Sequence, residues 1–463
     1  MLDLSLIEKY NKTRPFAADK FCYAPFTSLY FGHEGKVTAC CENREHLLGV
    51  YPQNSIAEIW NGTAAQQLRQ YISEQNLWHG CKGCDFDLRS ENFRGIKTHI
   101  FDIPRMHQKN RNYPSMLEFE MENTCNLECV MCTGIFSSSI RKNRELLPPI
   151  PSPYDDAFVQ QLAEFLPHLS HANFFGGEPF LVEIYYSIWE KMAQLNPGMQ
   201  IWITTNGTIL NQRVKELLQR LRFNLTVSID SLQKEVYEKI RVNAQFERVM
   251  ENLKYFLQYS KSHGTGFTLN VCPTPLNWEG LAEIIQWGNA HGVVVNIIPV
   301  RNPEPASLRS LPAAQLKSIA EYYQGFDFPA ADSVSLRNKK SFEDYTRFVL
   351  QWARFNEELE QSQQMLGFLP PIELLKKRVA AGLNFSSESL DSRETRVQAA
   401  IDKLSRVQKK IEAESPQLAK AAWELALNSG VDDLTHALFT WDEDELLRKG
   451  RQLLGGEKRQ TPG

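Results

Sequence analysis

Three cysteines raise the first chemical question. Cys125, Cys129 and Cys132 stand in one short run, Thr124-Cys125-Asn126-Leu127-Glu128-Cys129-Val130-Met131-Cys132. Three thiolates this close can hold three corners of an iron–sulfur cube and leave the fourth iron without a protein ligand. An open iron is useful when something else binds it. A structural zinc ion would want a fourth protein ligand, and no histidine lies within a few residues of these three. Five further cysteines precede the run: Cys22, Cys40, Cys41, Cys81 and Cys84. Four of them can fill a closed four-thiolate site, and the Cys81-x₂-Cys84 spacing suits zinc and iron–sulfur alike. The ninth, Cys272, ends the strand-like stretch Phe267 to Cys272. An S–H bond is weaker than most C–H bonds, so a thiol there can return a hydrogen atom to a carbon radical. The plainer reading of Cys272 is a buried thiol acting as a small hydrophobe.

These residues need elements to position them. From Met116 the sequence alternates strands and helices. Strands are expected at 116–122, 172–175, 200–204, 223–229, 267–272 and 293–300. Helices are expected at 153–169, 182–195, 211–221, 246–260 and 278–291. Six strands with five helices, at about 30 residues per unit, predict a parallel sheet with crossover helices. Six units fit an open or partial barrel better than a closed eight-stranded one. The cysteine run follows the first of these strands, and Gly176-Gly177-Glu178-Pro179 follows the second. In a parallel α/β sheet such strand ends gather at one rim.

Before this barrel, 28–40 reads as two short strands around a turn, and 55–71 as one or two helices with Ser55 as N-cap. Residues 99–114 mix charge, proline and asparagine and read as a linker. After Pro303-Glu304-Pro305 only helices are expected. In 393–413, Val397, Ile401, Leu404, Val407 and Ile411 form one apolar stripe, expected to pack on its own region.

The chain has 463 residues, and 42% are hydrophobic and 23% charged, which excludes a largely disordered or membrane-embedded class. Its net charge of -4 gives no basic excess that would ask for nucleic acid or an anionic membrane. The start carries no basic head before an apolar run, and no stretch reaches a membrane span of about 18 apolar residues. A cytoplasmic location is expected. An odd number of cysteines in a reducing compartment argues for metal rather than a disulfide framework.

The cysteine run resembles the defining loop of the radical SAM superfamily. Cys125, Cys129 and Cys132 match it, with Met131 before the last cysteine. The resemblance covers about 115–300. It implies a [4Fe–4S] cluster on the three cysteines and S-adenosylmethionine (SAM) on the open iron. It implies that Gly176, Gly177, Glu178 and Pro179 hold the SAM amino group, that Ser228 and Asp230 contact the ribose, and that Thr205 and Asn206 face the same pocket. Arg241 would meet the SAM carboxylate. A solvated charge at a helix end is the plainer reading of Arg241.

The segment with Gly35 to Cys40, Leu48-Gly49-Val50 and Ser55 to Trp60 resembles the SPASM/twitch domains of these enzymes, which hold auxiliary [4Fe–4S] clusters. Five cysteines rather than seven fit the shorter twitch form, with Cys22, Cys40, Cys81 and Cys84 as ligands and Cys41 spare. Cys40 and Cys41 remain exchangeable at this stage, and zinc remains the alternative metal.

The expected organisation is therefore α/β: a SPASM/twitch-like domain (1–98), a linker (99–114), a partial (β/α)₆ radical SAM barrel (115–305) and a helical C-terminal region (306–463). The N-terminal domain is expected to be a small cysteine-rich α+β unit. The resemblance implies reductive cleavage of SAM to a 5′-deoxyadenosyl radical that abstracts a substrate hydrogen. The partners it implies are a peptide or small-molecule substrate and a one-electron reductant such as a flavodoxin or ferredoxin, with neither nucleic acid nor membrane. A ribosomally made peptide is the expected substrate, with epimerisation through Cys272. The alternatives are oxidation or crosslinking of a peptide, epimerisation or dehydrogenation of a carbohydrate-type substrate, and a non-catalytic metal-binding scaffold.

Overall fold

A computed structural model describes residues 4–364, apart from 15, 78, 90–92, 94 and 95, together with 375, 379, 390–414, 434, 437, 438 and 441–454. Among the described residues, nine strands form one sheet. They are β1 (Ser28–Phe31), β2 (Lys36–Thr38), β3 (Gly49–Val50), β4 (Met116–Phe119), β5 (His171–Phe174), β6 (Gln200–Thr205), β7 (Phe223–Ser228), β8 (Phe267–Val271) and β9 (Val294–Ile297). Their order is β3-β2-β1-β4-β5-β6-β7-β8-β9. Strands β4 to β9 run parallel to their neighbours, as the alternation predicts.

The two faces of β4–β9 differ. One carries Phe119, Phe174, Ile203, Val227, Leu269 and Val295, all buried. It packs on crossover helices: Phe174 meets Tyr185 and Trp189 of the helix Glu183–Leu195, with ring centroids 5.0 and 5.2 Å apart. The other face is polar. Thr226 bonds Thr268 at 2.9 Å, Asn296 donates to Asn270 at 3.1 Å, and Asn224 donates to Gln200 at 3.1 Å. Trp202 stacks on His171 at 5.2 Å on this side. Parallel strands covered on both faces read as continuous apolar runs, so a polar face marks the side kept for water or a ligand.

Two findings differ from the sequence reading. The first 98 residues do not stand apart from the barrel sheet. Strand β1 pairs in parallel with β4, with Tyr30 beside Glu118, and β2 and β3 extend the sheet antiparallel. Phe31 packs on Phe119 and Phe158 at 5.5 and 5.0 Å, so both regions share one core. The stretch 99–114, expected as a linker, is also folded in. It includes the helix Asp102–Met106, and Asp102 is buried in an ion pair with Arg14. Gln108 Nε2 donates to Phe26 O at 2.8 Å.

The capping of 55–71 is as expected. Ser55 and Glu58 form a reciprocal capping box at the helix Ile56–Asn61. Two short helices were not anticipated, Ser138–Asn143 and Lys234–Ile240. Both brace the cysteine run.

Beyond the barrel, the helix Ser333–Gln364 closes the sheet edge. Its Asn338 is fully buried. Asn338 Oδ1 accepts from Val295 N and its Nδ2 donates to Val293 O, both at 2.9 Å. One amide side chain thus replaces part of a missing neighbour strand. The stripe in 393–413 lies on the helix Leu390–Glu414. Ile401 packs with Leu375, Val379, Leu434 and Leu438, and Val407 and Ile411 pack with Leu447, so the stripe is covered by its own region. The helices Ala313–Gln324 and Glu443–Leu454 also belong to the expected C-terminal region, of which 365–374, 376–378, 380–389, 415–433, 435, 436, 439, 440 and 455–463 lie outside the described set. Among the described residues, no helix is long and apolar enough to cross a membrane.

Candidate active site

The cysteine run leaves β4 and is pinned along its length. Cys125 N donates to Ser138 Oγ at 3.1 Å, and Ser139 Oγ donates back to Cys125 O at 2.8 Å. Ser137 Oγ donates to Leu127 O at 2.7 Å. Glu128 N and Val130 N donate to Val242 O and Ile240 O at 3.0 and 2.9 Å. The two unanticipated helices therefore fix the loop from both sides. Ser137, whose side chain caps the first of them, was the sequence signal available for it.

Burial pushes the thiols of this run up, Cys125 to about 12 and Cys132 to about 11. Such groups stay protonated at neutral pH unless a cation meets them.

The glycine turn after β5 lies against this loop. Gly176 and Gly177 have φ of +80° and +53°. A Cβ on Gly177 would stand 2.4 Å from Thr124 O. Glycine is thus required both by the backbone and by the close approach. Glu178 N donates to the same Thr124 O at 2.8 Å. The Glu178 carboxylate is fully buried and serves the protein itself. It accepts from Thr205 Oγ1 at 2.8 Å, Asn206 N at 2.7 Å and Phe180 N at 3.2 Å. Asn206 Nδ2 donates to Asn126 Oδ1 at 3.0 Å and lies 3.9 Å from Cys125 Sγ. The side chains of Glu178, Thr205 and Asn206, expected around the cofactor, therefore tie β5, β6 and the cysteine loop together.

Asp230 and Arg241 meet a different arrangement from the expected one. Asp230 is fully buried. Its Oδ1 accepts from Cys272 N at 2.7 Å, and its Oδ2 lies 2.7 Å from Arg241 Nε. The N–H is not aligned on that oxygen, so the contact is Coulombic rather than a formed hydrogen bond. Arg241 is buried too, against the reading of it as a solvated charge, and its Nη1 lies 3.9 Å from Cys129 Sγ. An ion pair removed from water this far has to be internal, since neither charge tolerates burial alone. Ser228 and Met131 remain half-buried.

Cys272, also half-buried by surface area, sits close enough to Asp230, Arg241, Cys129 and Cys132 for each to influence its ionisation. Burial is the largest influence and raises its thiol to about 12. Asn277, which the sequence reading missed, supports this strand end. Its Nδ2 donates to Asp230 O at 2.7 Å and its Oδ1 accepts from Thr274 N at 2.6 Å. The Thr274-x₂-Asn277 turn spacing was the signal available.

In the N-terminal region, Cys22, Cys40, Cys81 and Cys84 line one small cavity with Phe21, Thr98 and Phe101. Each sulfur accepts an N–H. Ala24 N donates to Cys22, Asn43 N to Cys40 and Asn43 Nδ2 to Cys81, all at 3.4 Å. The Lys97 backbone donates to Cys84. Neutral thiols are weak acceptors, so four directed donors suit thiolates. The donor set therefore fits a four-thiolate metal group. Gly80, at φ +84°, admits Asn43, whose Oδ1 would lie 1.8 Å from any Cβ there.

Cys41 points elsewhere, into a cavity of about 590 Å³ with Arg44, Lys82 and Phe175. Burial pushes its thiol up, and the charges of Glu118, Glu42 and Glu120 add to the rise. Among the described residues, no three His, Cys, Asp or Glu side chains close around a point as a single metal ion would require.

Comparison with known proteins adds to this geometry. Residues 120–288 match the family model of the radical SAM superfamily, and residues 22–85 match SPASM, an iron–sulfur cluster-binding domain. A GTP 3′,8-cyclase of Clostridium acetobutylicum is 28% identical over 171 residues, which is 37% of this chain and 48% of that protein. An AdoMet-dependent heme synthase of Methanosarcina barkeri is 25% identical over 187 residues, 40% of this chain and 49% of that protein. The chain thus spans about half the length of these curated relatives. Among solved structures, anSMEcpe with bound AdoMet is 17% identical with a TM-score of 0.35, covering 45% of this chain and 60% of that one. SuiB of Streptococcus suis with S-adenosylmethionine is 15% identical with a TM-score of 0.34, covering 58% and 59%.

Proposed function

From the premise that this chain belongs to the radical SAM superfamily and carries a SPASM-type iron–sulfur domain, we propose that it abstracts a hydrogen atom from a substrate carbon at the rim formed by the ends of β4 to β8. Cys125, Cys129 and Cys132 would hold the [4Fe–4S] cluster that takes SAM, with Gly176, Gly177, Glu178 and Pro179 beside it. Cys22, Cys40, Cys81 and Cys84 would hold the auxiliary [4Fe–4S] cluster. When bound, the loop cluster and SAM would supply the 5′-deoxyadenosyl radical.

The chain's own residues position and protect. The serines of 137–139 and the backbone of 240–242 fix the cysteine loop. Glu178 locks the strand ends to it. Asp230 holds Cys272 by its backbone and sets Arg241 against Cys129.

That last linkage carries the reading. Three contacts in series join Cys272 to a loop cysteine: Cys272 N to Asp230, Asp230 to Arg241, and Arg241 to Cys129 Sγ at 3.9 Å. Cys272 is then the hydrogen donor: its S–H bond breaks, a C–H bond forms at the substrate radical, and the sulfur keeps the unpaired electron until a one-electron reductant and a proton restore the thiol. Epimerisation is the outcome this role supports, with a ribosomally made peptide as the proposed substrate. Run in D₂O, the reaction should place one solvent deuteron at the inverted carbon. A product lighter by two hydrogens would replace epimerisation with oxidation or crosslinking. Full turnover to the normal product by Cys272→Ala would remove Cys272 from the reaction.

A carbohydrate-type substrate is the second reading. The observation favouring it is the polar sheet face, where threonine hydroxyls and asparagine amides predominate around Thr226, Thr268, Asn270 and Asn296. Neutral hydrogen-bonding groups of this kind match substrate hydroxyls. Incubating the reconstituted protein with SAM and candidate peptides or sugars, and following deuterium incorporation, separates the two.

A further inference from the structure

The cavity lined by Cys41 adjoins both cysteine sites. Its volume, about 590 Å³, is that of a small-molecule site. Glu42, Gly80 and Gly83 line it and also line the small cavity of the four N-terminal cysteines. Phe175 lines it too, and immediately precedes the glycine turn. Arg44, also in its wall, pairs with Glu120, against whose Cγ a Cβ on Gly176 would stand at 2.5 Å. The cavity therefore reaches the turn that lies against the Cys125–Cys132 loop.

Its bases are already matched. Arg44 Nη2 stands 2.8 Å from Glu120 Oε2, and Lys82 Nζ stands 2.8 Å from Glu45 Oε2. Lys97 lines the cysteine cavity but not this one. Two further carboxyls remain. Glu42 lines the cavity, and among the described residues none forms an ion pair with it. Glu118 lies behind Cys41, on the face of β4 opposite Phe119, in register with Tyr30. It is only 3% exposed, and its Oε2 has no hydrogen-bond partner.

That orphaned oxygen asks for a ligand. The Asn173 side chain and the Cys41 backbone bond the carboxyl, while the charges of Glu120 and Glu42 work against its ionisation. Burial raises it to about 7. A cation beside it would offset the cost of ionising it.

We propose that this cavity receives the primary ammonium group of the substrate, with Glu118 and Glu42 as its acceptors. The inference rests on the proposed function, since the cavity serves a substrate only if the adjoining loop carries SAM. Two carboxylates hold an ammonium by charge-assisted hydrogen bonds. The Phe175 ring adds an attraction of its own, because an aromatic face is negative. Seated here, the amine sets the rest of the substrate against the glycine turn.

The test uses the reconstituted full chain with SAM, followed by isothermal titration calorimetry. The probes are Nα-acetyllysine amide and glucosamine, each beside its neutral counterpart, Nα-acetylnorleucine amide and glucose. An amine should bind about tenfold or more tightly than its counterpart, and the amine that does so tells whether a peptide or a sugar carries the group. Glu118→Gln and, separately, Glu42→Gln keep the shape and remove the charge, so each should weaken that binding about tenfold or more. Added salt should weaken it in the wild type. Iron per chain and circular dichroism like those of the wild type show that both variants fold. Neutral probes that bind as well as the amines would overturn the proposal. So would wild-type affinity for the amine in either variant. Tighter binding of Nα-acetylglutamate amide would overturn it in favour of Arg44 and Lys82 as an anion seat. A wild type that takes up no iron would overturn the proposed function itself, a result distinct from these.

Discussion

The two cysteine sites are built on opposite plans. In the N-terminal set, four thiols face one cavity and every sulfur receives an N–H. In the barrel loop three thiols are present; backbone N–H groups of Leu127 and Thr133 reach Cys125 and Cys132 there too, and further bonds fix the backbone that carries them. The nearest side-chain donors to the loop sulfurs, Asn206 and Arg241, stand 3.9 Å off. A closed ligand set saturates its metal group and suits electron storage or structure. An open set fixes the frame and leaves a coordination place for another molecule. Under the proposed function, one sheet would carry both a closed cluster site and an open, reactive one.

The largest expected effect strikes the open site. Removing any of Cys125, Cys129 or Cys132 should abolish SAM cleavage, measured as 5′-deoxyadenosine formed under dithionite, while the N-terminal group remains. The closed site sharpens the contrast. Cys40→Ser should lose the auxiliary group, whereas Cys41→Ser should keep it, because Cys41 lines the other cavity. Iron content of the two variants reads this directly.

Next in size is the buried pair between Asp230 and Arg241. Asp230→Asn leaves the guanidinium uncompensated and should cost about 3–5 kcal/mol, seen as a lowered urea midpoint in the full chain. Gly177→Ala comes after it. Its Cβ would be driven against Thr124 O, and its φ is left-handed, so about 1–3 kcal/mol is expected, with weakened SAM binding beside it.

The smallest effect is a pH slope. Burial raises Glu118 from 4.5 to about 7. The folded chain then holds a proton that the unfolded chain releases between pH 4.5 and 7. The stabilisation is complete below 4.5 and is lost as pH rises through 7. Glu118→Gln should remove this slope. The stability of wild type relative to variant should fall between about pH 4.5 and 7 and level off above 7, at up to about 1.4 kcal/mol per pH unit within that window. A constant difference would show that folding does not raise the Glu118 carboxyl.

How far these sites could be read from sequence depends on distance along the chain. The six parallel strands were legible because each follows its own apolar run and helix. The cysteine run and the glycine turn were legible as local spacing. The pairing of β1 with β4 was not, since the alternation of Ser28 to Phe31 states that a strand exists but not which neighbour it takes. Nor was the partnership of Asp230 with Arg241, two charges whose burial becomes visible only when β7 and the helix Lys234–Ile240 are packed together. The choice of Cys40 over Cys41 turns on which neighbours donate to which sulfur, and adjacent residues give no such information in sequence. Asn338 read as an ordinary polar helix residue, although it closes the sheet edge.

The measurement that bears most directly on two unlike cluster sites is iron and sulfide per chain after anaerobic reconstitution. Wild type would be run beside the Cys125/Cys129/Cys132→Ala triple variant. Two [4Fe–4S] clusters predict about eight irons in the wild type and about four in the variant, with SAM cleavage only in the wild type. Little iron in either protein would contradict the account of both sites. About four irons in the wild type and none in the variant would contradict it for the N-terminal site alone.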